Sequence, residues 1–414
     1  MLSSTRGRSA PLLTTWLRLL AIPNVRRLAE ARFLANIYFY SAVIVRFESS
    51  RGLNYTQMFL LESVLSLTIW LLDIPTGVWA DRLGYRTLLI ASHALNTASV
   101  LVMLVALGFP AFALGSVLFG AGVACASGCE SALVIRSLAA SDLPSGAHES
   151  GSAFALLGAC SSAGFLVGLM TGTLFGAHDP VVAVAATLVP AALALAAVCL
   201  LQPIAPAQPE GKAAPAIGPR RALAIAVRLM ARQPALIGLS LTGSASFVCV
   251  NAIFWYNQPF LGRAGAAASW FGPLTAIAVG CAVVVPLTLP LARRFVSRRL
   301  SFAVSLLAPG LGYLALARAE SVWVVVALLA LVVGGAAWRE PLLSEALNER
   351  LDDAARATTL SALSFVGALA GVVANVLVGR AGDAGLSAVG YALGATLLAL
   401  GCLAPWLMRG ERSN

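Results

Sequence analysis

Three glutamates interrupt long apolar segments of the chain, where an ionised side chain is costly. They are Glu62, Glu130 and Glu340. A charged side chain at the centre of a bilayer costs about 2.5–3.5 kcal/mol on insertion scales, so each carboxylate needs a compensating role. A buried carboxylate can bind a proton or a cationic group, one at a time. We therefore interpret the three glutamates as candidate proton-binding residues, with Glu130 the strongest of them.

Glu130 has a second interpretation, as half of a structural ion pair with Arg339. Arg339 lies in another apolar segment and is followed by Glu340 and Glu345. Its guanidinium could orient an anionic group through two parallel hydrogen bonds. It could equally serve only to neutralise Glu130 or Glu340. We treat Arg339 and Glu345 as candidate binding residues and keep both interpretations open.

Polar and aromatic residues on two further apolar segments could line a cavity for an organic molecule. Asn36 and Tyr40 lie four residues apart, so they would share a face of a helix. Asn251 and Trp255 belong to a mixture of amide and aromatic residues that can line such a cavity. The aromatic residues could instead belong to the belt that marks a membrane surface.

The sequence contains no pattern typical of the common enzymes. It has no G-x-S-x-G stretch, no Walker-type phosphate loop and no His-rich spacing for a metal ion. The seven Cys residues all fall in apolar segments, where we interpret them as small buried hydrophobic residues. We therefore predict that the protein is not an enzyme and has no metal site and no bound cofactor.

The elements that must position these residues are membrane-spanning helices. Charged residues make up 11% of the chain, against about 25% in a soluble domain, and hydrophobic residues make up 59%. The apolar runs are continuous, which indicates helices rather than barrel strands. Since a spanning helix needs roughly 20 apolar residues, twelve spans fit the sequence. Numbered in chain order, they are predicted at 28–48, 55–78, 87–107, 112–136, 150–175, 180–201, 235–257, 268–292, 300–317, 321–345, 356–379 and 387–408.

The twelve spans divide into two halves. The longest connector, 202–234, is rich in Pro, Ala and charge, and it follows the sixth span. W-A-D-R-L-G-Y-R at 79–86 also matches L-A-R-R-F-V-S-R at 291–298, which indicates an internal repeat. We predict an all-α integral membrane protein of two pseudo-symmetric six-helix bundles, 1–201 and 235–414, joined by a cytoplasmic linker. Spans 1, 4, 7 and 10 would be the equivalent inner helices.

The basic residues indicate the orientation of the spans. The formal net charge is +10, but most Arg and Lys residues fall on the side that carries both termini. This asymmetry follows the positive-inside rule, which predicts that both termini are cytoplasmic. The charge is therefore a topology signal, and no nucleic-acid partner is expected. On the opposite side, we interpret Arg46 and Glu48, at the end of span 1, as an interfacial ion pair.

The connector between spans 2 and 3 carries the most distinctive motif. It reads D-I-P-T-G-V-W-A-D-R-L-G-Y-R at 73–86 and holds several charges between two apolar segments. Its part Gly77–Arg86 resembles the signature loop of the major facilitator superfamily (MFS). D-I-P-T-G at its start, S-G-C-E-S-A-L-V-I-R-S-L at 127–138 and the stretch Arg339–Ser361 resemble a drug-efflux-like bacterial branch of that superfamily.

In that family, Asp and Arg residues of the loop hold the two halves together when the transporter opens outward. The resemblance therefore implies that the loop is a conformational latch rather than a substrate ligand. The latch candidates are Asp73, Gly77, Asp81, Arg82, Gly84 and Arg86. Gly77 and Gly84 would allow a tight turn and a close approach of helices. Arg293 stands where Asp81 does in the second half, so we expect that copy of the latch to be lost.

Two residues depart from the pattern of the branch. Arg136 stands where an Asp is usual, which changes the charge partners at the end of span 4. Phe165 replaces the proline of a G-P-x-x-G-G motif that proton antiporters carry in span 5. Glycines recur there at four-residue steps over 164–176, and we interpret this ridge as a helix-packing surface.

The resemblance implies a monomeric transporter in the lipid bilayer of a bacterial-type inner membrane. It would work by alternating access on a small-molecule substrate and draw on an ion gradient, with protons as the expected coupling ion. The implied function is efflux of drugs or secondary metabolites, by antiport with protons. The alternative is proton-coupled import of a polar or anionic metabolite, with Arg339, Arg46 and Arg136 binding the anion.

Overall fold

The structure, a computed structural model, consists of helices joined by short connectors. It describes residues 12–141, 147–203, 224, 228, 234–350 and 356–408. No strand occurs among these residues, and each of the twelve predicted spans is helical, which confirms the all-α membrane fold. By length and apolar composition alone, ten of the described helices could cross a membrane, or eleven if the bent first span is included. Span 8 falls short of that test because its apolar helix is interrupted.

The first half begins with a short helix, Leu12–Leu20, that precedes the first span. The bounds of its spans are Pro23–Ala35 with Ile44–Ser50 (span 1), Tyr55–Leu83 (span 2), Tyr85–Val105 (span 3), Gly108–Ala126 with Cys129–Ala139 (span 4), Ala147–Gly176 (span 5) and Pro180–Cys199 (span 6). Span 2 runs beyond its predicted end and takes most of the charged 73–86 motif into the helix.

The second half repeats this pattern. The bounds of its spans are Pro234–Asn251 with Ile253–Arg263 (span 7), Phe271–Val284 with Leu289–Ala292 (span 8), Arg298–Leu316 (span 9), Val322–Gly335 with Arg339–Asn348 (span 10), Arg356–Asp383 (span 11) and Leu386–Leu407 (span 12). The predicted linker, 202–234, lies almost wholly outside the described residues.

The predicted inner helices, spans 1, 4, 7 and 10, are all broken. Span 1 is interrupted between Ala35 and Ile44 and bends by 58°. Span 4 breaks at Gly128, whose φ of 74° is a backbone conformation that other residues rarely adopt. Backbone that leaves the helix at membrane depth is tolerated where it is buried in protein or lines a cavity. The breaks therefore indicate that these spans surround the interior of the molecule.

The glycine ridge of span 5 holds the broken part of span 1. A side chain at Gly168 would collide with the backbone of Tyr38, and one at Gly172 with the backbone of Phe39. The ridge therefore lets two backbones approach closely, as small residues do at helix contacts in membranes. This contact supports the packing interpretation of the ridge.

The two halves meet along two pairs of spans. Span 2 packs against span 11, and span 5 packs against span 8. Span 2 starts at Tyr55 beside Asp383, so we call that side of the molecule the Asp383 face. Span 2 ends at Leu83, and we call the opposite side the Asp81 face.

Candidate functional site

A cavity of about 350 Å³ lies at the junction of the two halves. Its walls come from spans 1 to 5 of the first half and from span 7 of the second. Glu62, on its wall, comes seven residues after Tyr55, which is about 10 Å along a helix that rises 1.5 Å per residue. The cavity therefore lies nearer the Asp383 face than the Asp81 face. Its volume falls in the range of small-molecule sites.

Glu48 and Glu62 are the only charged side chains on the cavity wall among the described residues. Glu48 is only 7% exposed, and its Oε2 atom is buried without a hydrogen-bond partner. Neither carboxylate forms an ion pair with a described residue. The two carboxylates are close enough to interact electrostatically with each other and with the Tyr40 hydroxyl. Among the residues that the structure describes, the cavity wall therefore carries two acids and no cationic side chain.

The predicted Arg46–Glu48 ion pair is wrong, because both residues lie in the helix Ile44–Ser50, where side chains two residues apart do not face each other. After the bend, Ile44 and Glu48 lie four residues apart on the face that lines the cavity. Arg46 points elsewhere and its Nη1 atom donates to the carbonyl of Ala177 at 2.9 Å. Glu48 is thus a site residue that the sequence interpretation missed. A break in span 1 was the signal that would have revealed it.

The interrupted stretch of span 1 contributes two tyrosines to the cavity. Tyr38 and Tyr40 both line it, with their ring centroids 5.6 Å apart. Asn36 does not line it: its Nδ2 atom donates to the carbonyl of Arg32 at 2.8 Å. The expectation that Asn36 and Tyr40 share a helix face is therefore wrong, because the helix ends at Ala35.

Span 7 provides the wall that belongs to the second half. Asn251, Phe254 and Trp255 line the cavity, as the sequence predicted for Asn251 and Trp255. Phe254 meets Phe165 of span 5 edge to face, with ring centroids 6.0 Å apart. Phe165, the residue that replaces a motif proline, is therefore part of the cavity wall and of the contact between halves.

The Asp383 face is closed by hydrogen bonds between the two halves. The carboxylate of Asp383, at the end of span 11, accepts from the backbone N–H of Tyr55 at 2.9 Å and of Thr56 at 3.2 Å. It also accepts from the Thr56 hydroxyl at 2.6 Å. These N–H groups begin span 2 and have no partner within that helix. Asp383 thus caps a helix of the opposite half.

Aromatic rings form a roof between this face and the cavity. Phe59 stacks on Tyr256 with centroids 5.6 Å apart and lies at the same distance from Trp255. The ring of Tyr55 also packs on Tyr256, tilted, with centroids 5.1 Å apart. The Tyr256 hydroxyl donates to the Val378 carbonyl at 2.9 Å, which ties span 7 to span 11. The roof therefore joins spans 2, 7 and 11 above the cavity.

The Asp81 face is different, because all six latch candidates are exposed there. These six residues are Asp73, Gly77, Asp81, Arg82, Gly84 and Arg86. Arg86 donates to the carbonyl of Cys199 at 2.8 Å, within its own half. Asp81 and Arg82 form no hydrogen bond or ion pair with any residue that the structure describes. In the described parts of the chain, the latch residues do not bridge the halves.

The two latch glycines play different parts. Gly84 has a φ of 86° and forms the turn between spans 2 and 3, as expected. Gly77 lies inside the helix of span 2, and a side chain added there would meet open space. The expected turn or close helix approach at Gly77 is therefore wrong in this conformation.

Glu130 forms an ion pair with Arg32 of span 1, so the alternative interpretation of Glu130 as half of an ion pair holds, but Arg339 is not its partner. Glu130 begins the second part of span 4 and lies with Arg32 beside a smaller pocket, away from the main cavity. Arg339 is 6% exposed, with its guanidinium carbon 5.8 Å from the centre of the Phe247 ring. Its Nε and Nη1 atoms are buried without a hydrogen-bond partner. Arg339 does not line the main cavity.

Glu345 belongs to an ion-pair cluster rather than to the cavity. It pairs with Arg293, and the Nε atom of Arg298 lies 3.9 Å from its carboxylate. Arg298 Nη1 also donates to Glu349 at 2.6 Å. Arg293, the second-half equivalent of Asp81, therefore forms an ion pair within its own half. Glu340, beside Arg339, is exposed and does not line the main cavity.

Arg136 shows what the reversed charge at the end of span 4 does. Its guanidinium carbon lies 4.5 Å from the centre of the Tyr85 ring, which is a cation–π geometry. Its Nη2 atom donates to the Tyr85 hydroxyl at 3.2 Å. Arg136 thus fastens span 4 to the start of span 3 and contacts no described acid.

Comparisons with known proteins agree with this architecture. The chain resembles the solved nucleoside transporter NupG with a TM-score of 0.75 and 13% identity, covering 96% of this chain and 100% of that one. It resembles the peptide transporter POT in complex with sulfate with a TM-score of 0.70 and 17% identity, over 93% and 95% of the two chains. It resembles a POT family transporter in complex with 5-aminolevulinic acid with a TM-score of 0.67 and 15% identity, over 92% and 96%.

At these identities the solved structures show the fold alone. No curated protein matches the chain. The family model of the Major Facilitator Superfamily matches residues 31–375, which cover most of both bundles. The twelve helical spans and the two bundles are compatible with this match. The chain therefore belongs to the major facilitator superfamily of membrane transporters.

Proposed function

We propose that the protein is a proton-coupled secondary transporter that exports a small organic molecule by alternating access. The observation that carries this proposal is the Glu62 carboxylate, which lines the cavity and has no described ion-pair partner. A carboxylate in such a place changes its charge when it binds a proton, so it can couple proton movement to substrate binding. Glu62 therefore replaces Glu130, which is held by Arg32, as the first candidate for coupling.

The difference between the two faces supports alternating access. In the proposed orientation, the Asp81 face and both termini are cytoplasmic, and the protein works as a monomer in a bacterial-type inner membrane. The conformation described here is closed on the Asp383 face and unlatched on the Asp81 face. In the opposite conformation, the latch residues of the Asp81 face would bridge the halves while the Asp383 contacts separate. A ligand that binds the two states differently shifts the population between them.

Import is the second candidate, because of Arg339. Two of its guanidinium nitrogens are buried without a partner, and a buried cation of this kind would favour an anionic group. The resemblance in fold to nucleoside and peptide transporters also fits uptake of a polar metabolite. Export is preferred here because the cavity wall itself carries acids, whereas Arg339 lies off that wall.

A vesicle assay tests both coupling and direction. A growth-inhibition panel in a strain that lacks its own pumps first identifies a transported compound. Inverted membrane vesicles then receive an imposed pH gradient, acid inside, and accumulation of that compound is measured with and without an uncoupler. We expect accumulation that the uncoupler abolishes and that Glu62→Gln lowers at least about tenfold. Glu320→Gln, which changes an exposed acid on a connector outside the cavity, is the matched control. Full accumulation by Glu62→Gln would contradict the coupling role. Accumulation that occurs only in right-side-out vesicles with the gradient reversed, acid outside, would establish import.

A further inference from the structure

We infer that the transported molecule is an organic cation with a flat apolar body, held by Glu48 and Glu62 together. This inference rests on the proposed transport function and names the substrate class of the same cavity. It adds Glu48, which the sequence analysis interpreted only as part of an interfacial ion pair.

The charge of the cavity excludes anions as its preferred ligand. No Arg, Lys or His lines it among the described residues, whereas two carboxylates do. Like charges repel in a medium of low dielectric constant, and the wall carries two carboxylates with no described cation beside them. A ligand that carries a positive charge would supply the counter-charge that this wall lacks.

The aromatic lining matches a cation with an apolar body. Seven aromatic rings line the cavity, and they come from both halves: Tyr38, Tyr40, Phe112, Phe119, Phe165, Phe254 and Trp255. The faces of such rings attract ammonium groups, and their area also accepts flat apolar groups. Leu61, Leu65 and Met103 add further apolar surface to the wall. Polar substituents of such a ligand can hydrogen-bond with the polar groups on the wall, which are Ser41, Ser99, Ser116 and Asn251.

The two acids lie on different spans, so each would hold the cation from a different side of the cavity. Glu48 is buried at the end of span 1, where one carboxylate oxygen has no partner, so its site is incomplete without a donor. Glu62 is half-buried on span 2, the helix that Asp383 caps from the other half. A cation held between them would therefore contact both the broken span 1 and the span that crosses the closed interface. The aromatic roof lies above this position.

A binding measurement with matched probes tests the inference. Phenyltrimethylammonium and tert-butylbenzene have nearly the same shape and differ in a single charged atom, N⁺ in place of C. Binding of radiolabelled phenyltrimethylammonium to the purified full chain in detergent is measured at fixed pH. A naphthyl analogue and tetraphenylphosphonium extend the panel to larger cations, and benzenesulfonate provides an anion.

We expect saturable binding of at least one cation of the panel, with little competition from tert-butylbenzene or benzenesulfonate. Glu48→Gln and Glu62→Gln keep the shape of each side chain, and each should weaken the cation at least about tenfold. Glu320→Gln should bind like the unaltered chain. Size-exclusion profiles and melting temperatures of the variants confirm that they are folded.

Three results would overturn the inference. They are no saturable binding of any cation in the panel, equal competition by the neutral isostere, and unaltered cation affinity in both glutamine variants. Each of these outcomes leaves proton coupling open, because binding in detergent needs no gradient. Conversely, cation binding without proton-driven accumulation in vesicles would remove the proposed coupling and leave the substrate class standing.

Discussion

The two faces of the molecule both carry an aspartate near a helix end, but only one of these aspartates bridges the halves. Asp383 accepts three hydrogen bonds from the start of span 2 in the opposite half. Asp81 is exposed and has no partner among the residues that the structure describes. An aspartate therefore joins the two halves on one face, whereas the aspartate on the other face makes no described contact between them.

This difference indicates how the halves can exchange positions. A carboxylate that caps a helix N-terminus is favourable only while the helix and the acid are aligned. The cap at Asp383 is made across the interface between halves, so it breaks when the halves rock apart. The exposed Asp81 and Arg82 are free to make new contacts on the other face at the same time. Small polar contacts at the two ends of the interface can then favour either conformation.

A covalent bridge on the Asp383 face should have the largest effect. Thr56→Cys with Asp383→Cys, in a chain whose native Cys residues are replaced by Ser, places two thiols where a hydrogen bond joins the native side chains. Joining them with a short reversible cross-linker should abolish transport, because the halves can no longer separate there. Reduction should restore it. Each single Cys variant treated in the same way is the control, and transport by the cross-linked chain would show that this face need not open.

Removal of the cross-half cap should have the next largest effect. Loss of an N-cap side chain costs about 0.5–2 kcal/mol, so Asp383→Ala should raise the population open on this face about tenfold. The measurement is the rate at which a membrane-impermeant thiol reagent labels Ser63→Cys, a position that is buried and bonded to Asn375. Asp383→Asn keeps an acceptor oxygen and should change the rate less. An unchanged rate in Asp383→Ala would mean that the cap does not hold the face closed.

Loss of one bond in the aromatic roof should have a smaller effect. Tyr256→Phe keeps the stacked ring but removes the hydroxyl that donates to the Val378 carbonyl. Such a bond contributes about 1 kcal/mol, so labelling of Ser63→Cys should rise about fivefold. Tyr391→Phe, which changes an exposed tyrosine of span 12, is the control. If both variants label alike, the roof closes the face by packing alone.

The latch residue should have the smallest effect on this conformation. Asp81→Asn removes no bond that the described residues make, so the labelling rate of Ser63→Cys should fall or rise less than about twofold. Turnover in vesicles should nevertheless slow, because the opposite conformation loses its contact. Asp73→Asn changes another aspartate of the same face, and its labelling rate and turnover are compared with those of Asp81→Asn. A large change in labelling would mean that Asp81 already joins the halves in the closed state.

The sequence was sufficient for the helical membrane fold because the length of each apolar segment is set by the thickness of the bilayer. Each of the twelve predicted spans is helical, and the turn at Gly84 appears where a glycine motif placed it. Periodicity could not show where the inner helices break. Span 1 carries no Gly or Pro at its break, and the contact that shapes it is the glycine ridge of span 5, far along the chain.

The site was predictable only in part, for the same reason. Tyr40, Asn251, Trp255 and Glu62 do line the cavity. Glu48 was missed because it stands at the end of span 1 beside Arg46, and the sequence analysis assigned both residues to an interfacial ion pair. The ion-pair partner of Glu130 was not predictable either, since Arg32 and Arg339 both carry a guanidinium group that could pair with its carboxylate. Only the packing of spans 1 and 4 brings Arg32 to it.

The most direct test of this account measures the distances across both faces in one experiment. Spin labels at Ser50 and Ala384 span the Asp383 face, and labels at Leu83 and Phe295 span the Asp81 face, all at exposed positions. Distances are measured by pulsed electron paramagnetic resonance in the unaltered background and with Asp383→Ala. We predict that a longer distance appears for the first pair and a shorter one for the second, in equal proportion. If both distances lengthen together, or the second does not respond, the two faces are not alternative gates of one cavity.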